Sequence, residues 1–207
     1  MAISTYSELQ TSVADFLNRD DLTTIIPDFI TMAEAKFDRE LRHWRMETRS
    51  TATLDSQYSA IPDQFLEPVR LSLLNDTTST MELVGTWAIA DLRAKSANRT
   101  GKPEFYAILD GSIEVQPTPD GSYNLEMVYY SAIDKLSASN TTNWLLDTHP
   151  DAYLYGALLH SAPYLQEDNR VQVWAALYQS AIDAINMESD KSKTSGSGRR
   201  IKIRSYS

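Results

Sequence analysis

Residues 143–187 read NWLLDTHPDAYLYGALLHSAPYLQEDNRVQVWAALYQSAIDAINM and predict two successive α-helices. In the second helix, apolar residues recur at steps of three and four and therefore share one face. That stripe consists of Val171, Trp174, Ala175, Tyr178, Ala181, Ile182 and Ile185. The opposite face carries Gln172, Gln179, Asp183 and Asn186. We expect the stripe to pack against neighbouring helices or to form a contact with another subunit.

The first of these helices is predicted to begin at Pro150, because the first turn of a helix does not need the N–H that proline lacks. It runs to about Leu165, with a kink or local break at Pro163. Its inward face consists of Tyr153, Leu154, Ala157, Leu158, Ser161 and Leu165. The short connection at residues 166–169 makes the two helices antiparallel neighbours. The candidates for helical packing or subunit contact are Tyr153, Leu158, Trp174, Tyr178 and Ile182.

The N-terminal part of the chain predicts two further helices. Thr5 and Glu8 have the spacing of a capping box, in which each side chain satisfies a free N–H of the first turn. The apolar face of this helix consists of Leu9, Val13, Phe16 and Leu17. A second helix begins near Pro27, and its apolar side consists of Phe29, Ile30, Ala33, Phe37 and Leu41. Its charged side is expected to face solvent and consists of Glu34, Lys36, Asp38, Arg39, Glu40 and Arg42.

After Met46 the helical period gives way to alternation and turn residues, which predicts a β-rich insertion. The expected strands span residues 47–54, 67–73, 81–84, 104–109, 112–115 and 123–130, with one helix at residues 87–96. Asp110-Gly111 is typical of a hairpin turn, since glycine supplies the positive φ that such turns require. The last three strands are expected to form a meander.

These patterns predict an α+β protein. A helical bundle is built from the N- and C-terminal helices, which gives a helical domain of residues 1–46 and 143–187. The mainly antiparallel β region, residues 47–142, is inserted between its two halves. Residues 188–207 form a flexible, basic, extended C-terminal arm.

The C-terminal arm differs from the rest of the chain in composition. Residues 189–198 have no apolar side chain to bury, which is typical of a linker. The arm then carries its candidate partner-binding residues, Arg199, Arg200, Ile201, Lys202, Ile203 and Arg204. Their alternation of isoleucine and basic residues suits a single added strand. The arm has six basic residues against two acidic ones, a net charge of +4, so a total of −9 leaves −13 on residues 1–187.

Motifs for catalysis or cofactor binding are absent from the sequence. It has no cysteine, no glycine-rich phosphate loop, no G-x-S-x-G elbow and no H-E-x-x-H. His149 and His160 are eleven positions apart, about 16 Å along one helix, so they cannot share a metal through that helix. We therefore expect no enzyme activity, no cofactor and no metal site. No stretch approaches the roughly 20 apolar residues of a membrane span, and we expect a soluble protein.

Several segments resemble head-to-tail adaptor (connector) proteins of tailed bacteriophages, especially short-tailed ones. The C-terminal segments are residues 143–146 (NWLL), 149–158 (HPDAYLYGAL) and 162–165 (APYL), with Asp168 and Arg170. The N-terminal segments are residues 5–9 (TYSEL), 26–30 (IPDFI), 33–35 (AEA) and 39–42 (RELR). The middle of the chain is similar in the placement of its β region and in an exit strand at residues 128–130 (VYY).

The resemblance implies a structural protein of the virion neck, made in the cytoplasm of the host bacterium. Such proteins form a homo-oligomeric ring, typically of twelve copies, between the portal protein and the tail nozzle or tail-tube protein, and a C-terminal arm often reaches along the portal. Genomic DNA passes through the ring during ejection without sequence-specific binding. An acidic body suits that channel, because like charge disfavours adhesion of DNA. The alternatives are a nucleic-acid-binding protein that acts through its basic tail, and an enzyme with no recognisable motif.

Overall fold

The computed structural model describes residues 3–74, 79–96, 99–165 and 169–194. Its helices are α1 (Tyr6–Leu17), α2 (Ile26–Glu40), α3 (Thr86–Lys95), α4 (Trp144–Thr148), α5 (Pro150–His160) and α6 (Arg170–Thr194). Its strands are β1 (Glu47–Leu54), β2 (Tyr58–Ala60), β3 (Phe65–Leu73), β4 (Ser79–Thr80), β5 (Glu82–Leu83), β6 (Phe105–Leu109), β7 (Ser112–Gln116) and β8 (Tyr123–Ser131). Short 3-10 turns occupy Trp44–Met46 and Ala162–Tyr164. The α+β class is confirmed.

The chain divides into two compact units. The first, Met1–Trp44 with Ile133–Ser207, is called the helical unit here because its described elements are helices. The second, Arg45–Ala132, contains the eight described strands together with α3 and is called the β unit.

The predicted capping box begins α1. The Glu8 N–H donates to the Thr5 hydroxyl at 3.3 Å, and the Thr5 N–H donates to the Glu8 carboxylate at 3.0 Å. The helix ends at Asn18, whose φ of 53° places it in the left-handed region that closes many helices. The capping box is a signal local in sequence, and its prediction is confirmed.

The apolar side of α2 is buried as predicted, but its charged side does not face solvent throughout. Glu34 is only 2% exposed. It lies four residues after Ile30 and three before Phe37, which places it on the same face of the helix as these core residues. The expectation of a fully solvated charged side is therefore wrong at Glu34, because a polar residue in phase with the core gives no signal in the apolar pattern.

Close approach of two helices explains the glycine in α5. A Cβ atom added to Gly156 would lie 3.1 Å from Cβ of Ala33 and 3.3 Å from the ring of Phe37, both of which belong to α2. The absence of a side chain at this position therefore lets α2 approach α5 closely. The helix ends at His160 rather than near Leu165, since the chain turns into a short 3-10 segment around Pro163.

The last helix is longer than its apolar pattern predicts. α6 continues to Thr194, seven residues beyond Met187. Ser189 is 1% exposed, and its hydroxyl accepts the N–H of Trp44 at 2.9 Å. The extension is therefore anchored by a polar contact, which leaves no signal in the apolar periodicity.

The described strands of the β unit form two four-stranded sheets. Their strand orders are β1-β8-β3-β4 and β2-β7-β6-β5. The strand pairs are antiparallel, except that β5 and β6 run parallel. The apolar faces of both sheets share one core, which includes Leu54, Leu71, Leu73, Met81, Tyr106, Ile113, Val115, Leu125, Met127 and Tyr129.

The predicted meander is wrong in its last step. β6 and β7 form a hairpin whose turn residues, Asp110 and Gly111, have φ values of 47° and 68°, as the Asp-Gly signal predicts. β8 instead joins the other sheet, between β1 and β3. The six residues that separate β7 from β8 include Pro117 and Pro119, and such a connection does not form the two-residue turn of a tight hairpin.

Candidate interaction surfaces

The five helical candidates from the sequence lie inside the helical unit. Tyr153, Leu158, Trp174, Tyr178 and Ile182 are each at most 5% exposed. The Phe37 ring lies 5.0 Å from the Tyr153 ring and 6.1 Å from the Tyr178 ring, measured between centroids. The Tyr178 hydroxyl donates to the Glu40 carboxylate at 2.8 Å. Burial raises the pKa of Tyr178, and this bond raises it further. These side chains therefore hold α2, α5 and α6 together within one chain.

A buried polar network surrounds Glu34. Its carboxylate accepts the Leu136 N–H at 2.7 Å and the Tyr153 hydroxyl at 3.2 Å. The Asn143 amide donates to the same Tyr153 oxygen at 2.7 Å and to the Asp134 carbonyl at 2.7 Å. Burial raises the pKa of Glu34, although its two donors act in the opposite direction. The network fixes the segment before α4 against α2 and α5, because a buried polar group without its partner is costly.

The outer face of α6 carries apolar side chains that the sequence interpretation missed. Val173, Leu177 and Met187 are 57%, 40% and 56% exposed. Ala184 is also exposed, and the spacing of these four residues places them on one side of the helix. The sequence does carry a signal for this second face. Its apolar residues follow one another at steps of four, seven and three, and they are out of phase with the buried stripe. Exposed apolar surface of this kind is typical of contacts with another molecule.

Two glutamates of the β unit are held by arginines. Glu126 accepts hydrogen bonds from Arg49 and, at 2.7 Å, from Arg70. The bond from Arg49 is the main reason why the pKa of Glu126 lies below its usual range. Glu114 pairs with Arg93, which also donates to the Val115 carbonyl at 3.0 Å. Each pair crosses between neighbouring elements of the β unit.

An open pocket of the β unit lies beside two edge strands, β1 and β2. Its volume is about 300 Å³. Its lining includes Ser50 and Ala52 of β1, Ser59 and Ala60 of β2, Ile61, Pro62, Asp63, Ile113, Leu125 and Met127. Ile113, Leu125 and Met127 are at most 3% exposed and form a buried floor. The pocket is therefore an apolar recess bordered by two edge strands, with a carboxylate at its rim.

A further exposed apolar site lies at the start of α3. Trp87 is 78% exposed, the largest exposure among the large apolar side chains of the described chain. Leu83 of β5, four residues earlier, is 51% exposed. A tryptophan with so little cover within its own chain is a candidate anchor for a partner.

The histidines and acidic residues do not assemble a metal site in the part of the chain that the structure describes. His149 lies 3.6 Å from the Glu188 carboxylate. His43 stacks on Trp144 with 4.9 Å between ring centroids. Burial lowers the pKa of His160. The arm residues Arg199, Arg200, Ile201, Lys202, Ile203 and Arg204 lie outside the described residues.

The exposed apolar side chains on α3 and α6 are typical of surfaces that contact other molecules. The chain belongs to the SU10 adaptor protein family, whose model matches residues 4–201. The match spans the described parts of both units and confirms the resemblance to bacteriophage head-to-tail adaptors. No curated protein matches the chain in sequence. Within the described residues, no helix is both long and apolar enough to cross a membrane.

Proposed function

We propose that the chain is a structural head-to-tail adaptor in the neck of a short-tailed bacteriophage virion. Copies assemble into a homo-oligomeric ring, of twelve subunits as the resemblance implies, which joins the portal to the tail nozzle or tail-tube protein. The observation that carries this proposal is the family match over residues 4–201. The protein acts without catalysis.

The charge of the chain supports a channel for DNA. The net charge is −9, with 28 acidic residues against 19 basic ones. Acidic side chains repel phosphates, so DNA would slide past an acidic wall with little adhesion. Genomic DNA would therefore pass through the ring without sequence-specific binding.

The exposed apolar residues supply candidate contacts for ring formation. The outer face of α6 offers Val173, Leu177 and Met187, and α3 offers Trp87. Interfaces draw most of their energy from a few apolar or aromatic residues that become desolvated on assembly. We assign the contacts between subunits, or with the portal and the tail, to these two surfaces.

We further propose that the chain acts in three parts: a helical domain, an inserted β-rich region and a C-terminal arm. The arm, with Arg199, Arg200, Ile201, Lys202, Ile203 and Arg204, would add a strand to the portal or to an adjacent subunit. Repetition of a weak contact around a ring raises the total affinity, since each later contact forms within the assembly.

A docking assay on the portal protein of the same phage tests the proposal. The full chain should co-sediment with the portal in a fixed whole-number ratio that does not change when the chain is in excess. A variant that ends at Thr194 should attach much more weakly, because it retains α6 but lacks the arm. Equal attachment of the two chains would remove the role of the arm, and no attachment of either would remove the adaptor function.

The basic residues at positions 199–204 support one alternative, a protein that binds nucleic acid through its tail. The slope of affinity against salt separates the two functions, since phosphate contacts release counterions in proportion to their number. Binding of duplex DNA that weakens steeply with salt, and that is lost when the chain ends at Thr194, would favour this alternative.

A further inference from the structure

β1 differs from the other edge strands of the β unit. Four strands end a sheet in the described part of this unit, and β1 spans eight residues whereas β2 spans three and β4 and β5 two each. Proteins commonly protect sheet edges by shortening the strand or by adding bulges, prolines and lysines. β1 pairs with β8 over its whole length without a register shift, and it contains neither proline nor lysine. Among the described residues β1 pairs on one side only, so its outer edge is suited to a further strand.

The pocket lies next to this edge. Ser50 and Ala52 are two residues apart in β1 and therefore project from the same face of the strand. They are directly opposite Met127 and Leu125 of β8, which form part of the pocket floor. Because both β1 side chains are small, the recess beside them is left unfilled. A strand added to β1 would place every second side chain over this recess.

The apolar residues near the C-terminus have the same two-residue spacing as Ser50 and Ala52 of β1. Residues 200–204 read RIKIR, with isoleucines at positions 201 and 203. In an extended strand these two side chains share a face and lie about 6.6 Å apart, the same repeat that separates Ser50 from Ala52. A pocket of about 300 Å³ is at the lower end of the range for ligand sites, and it suits apolar side chains better than a large cofactor.

The net charges of the β unit and of the C-terminal segment also favour that segment as the added strand. The β unit, residues 45–132, has seven basic residues against twelve acidic ones, a net charge of −5. Residues 199–204 carry four basic residues and no acidic one, a net charge of +4. Asp63 lies at the rim of the pocket, and the cation nearest in sequence on β1, Arg49, is already paired with Glu126. Opposite net charges speed the encounter of two surfaces and help to select the partner.

We propose that residues 200–204 of one copy add as a fifth strand to the free edge of β1 in a second copy, with Ile201 and Ile203 over the pocket. The proposal rests on the adaptor function, in which copies lie side by side, and it identifies the partner of the arm as an adjacent subunit. Main-chain hydrogen bonds supply the affinity, and the two isoleucines supply the specificity.

Cross-linking between full-length chains tests the site directly, because the natural sequence has no cysteine. One preparation carries Ala52→Cys and the other Ile203→Cys, and the two are mixed at high concentration and oxidised. We expect a mixed disulfide-linked dimer. The matched control replaces Ala52→Cys with Leu83→Cys, which lies on the short edge strand β5 and is 51% exposed. Equal yields from the two mixtures, or no mixed dimer from the first, would overturn the proposal.

A peptide of residues 195–207 provides a second test that does not depend on self-association. Added in excess to the full chain, it should slow hydrogen exchange of the backbone amides at residues 48–53. Replacing Ile201 or Ile203 by serine keeps the charge of the peptide and should weaken binding by about tenfold each, since the burial of one isoleucine is lost. Lack of protection, or equal protection by the serine peptides, would contradict the assignment.

Neither test contains the portal, so the two proposals can fail separately. Strand addition at β1 without a ring on the portal would remove the adaptor function and leave this site in place. A ring on the portal without cross-linking or protection at β1 would leave the adaptor function and assign the arm to another partner.

Discussion

Glu34 in the helical unit and Glu126 in the β unit are both carboxylates that organise their surroundings, but by opposite means. Glu34 is 2% exposed and accepts hydrogen bonds from a backbone N–H and a tyrosine hydroxyl, and burial raises its pKa. Glu126 lies against Arg49 and Arg70, and the bond from Arg49 lowers its pKa. Both carboxylates are buried, and they differ in their partners: Glu34 has uncharged donors, whereas Glu126 has arginines that compensate its charge.

The helical unit and the β unit also differ in how fully the described residues satisfy one another's contacts. In the helical unit, buried polar contacts join residues that are more than a hundred positions apart, such as Glu34 with Leu136 and with Tyr153. In the β unit the described framework ends in a long edge strand beside an open pocket. We infer that the helical unit supplies a fixed body, while the β unit retains a surface that another chain can complete.

The prediction with the largest expected effect concerns the packed core of the helical unit. Trp174→Ala should lower the free energy of unfolding by about 3–5 kcal/mol, because it removes a large ring from a packed interior. Val173→Ala is the matched control, since Val173 is the preceding residue of α6 and is 57% exposed; it should change stability by less than about 0.5 kcal/mol. Denaturant unfolding followed by circular dichroism measures both. Equal stability of the two variants would contradict the assigned faces of α6.

The buried network should give the next largest effect. Glu34→Ala should cost about 1–3 kcal/mol, because the Leu136 N–H and the Tyr153 hydroxyl would lose their acceptor in a buried place. Glu34→Gln keeps an acceptor oxygen and should cost less at neutral pH. If both substitutions left the unfolding midpoint unchanged, the network would not fix the segment before α4.

The pH dependence of stability should separate the two carboxylates by sign. The folded pKa of Glu34 is raised, so its contribution is fully present below the ordinary glutamate value of 4.5 and is lost as pH rises through the raised pKa. Wild type should therefore lose stability relative to Glu34→Gln as pH rises through this window.

Glu126 has a lowered folded pKa, so its contribution is present above 4.5 and is lost as pH falls through the lowered value. Wild type should accordingly lose its advantage over Glu126→Gln as pH falls. Thermal melts of the three chains between acidic and neutral pH give both comparisons. Shifts of the same sign for the two variants would contradict the contrast.

A substitution near the C-terminal end of α6 should have a smaller effect on the free energy of unfolding. Ser189→Ala removes the acceptor of the Trp44 N–H and should cost about 0.5–1.5 kcal/mol. Ending the chain at Thr194 should leave the melting temperature nearly unchanged, because this truncation preserves the Ser189 contact. A truncated chain that melts well below wild type would show that residues 195–207 stabilise the isolated chain.

The sequence predicts those parts of the fold that depend on local signals. The capping box at Thr5, the bounds of β1 and the Asp110-Gly111 hairpin are each specified within a few residues. Apolar periodicity also identifies five buried residues of α6, which are Trp174, Tyr178, Ala181, Ile182 and Ile185. Such signals suffice wherever one short segment determines its own conformation.

The features that the sequence does not predict depend on contacts between residues that are distant in sequence. Glu34 is buried because Tyr153 and Leu136 supply its donors, and neither is visible from the pattern of α2. The edge position of β1 depends on which strand pairs with β8, and the prediction of a meander assigned β8 to the wrong neighbours. The candidate pocket therefore could not be predicted, since its floor and walls come from β1, β2, β7 and β8.

The most direct test of the adaptor function is electron microscopy of the full chain mixed with the portal protein of the same phage. We expect an additional ring of density at one end of the portal, with whole-number symmetry and an open axial channel. The ring should persist across a range of salt and protein concentrations. Portal particles without added density under all of these conditions would contradict the proposal that this chain joins the head to the tail.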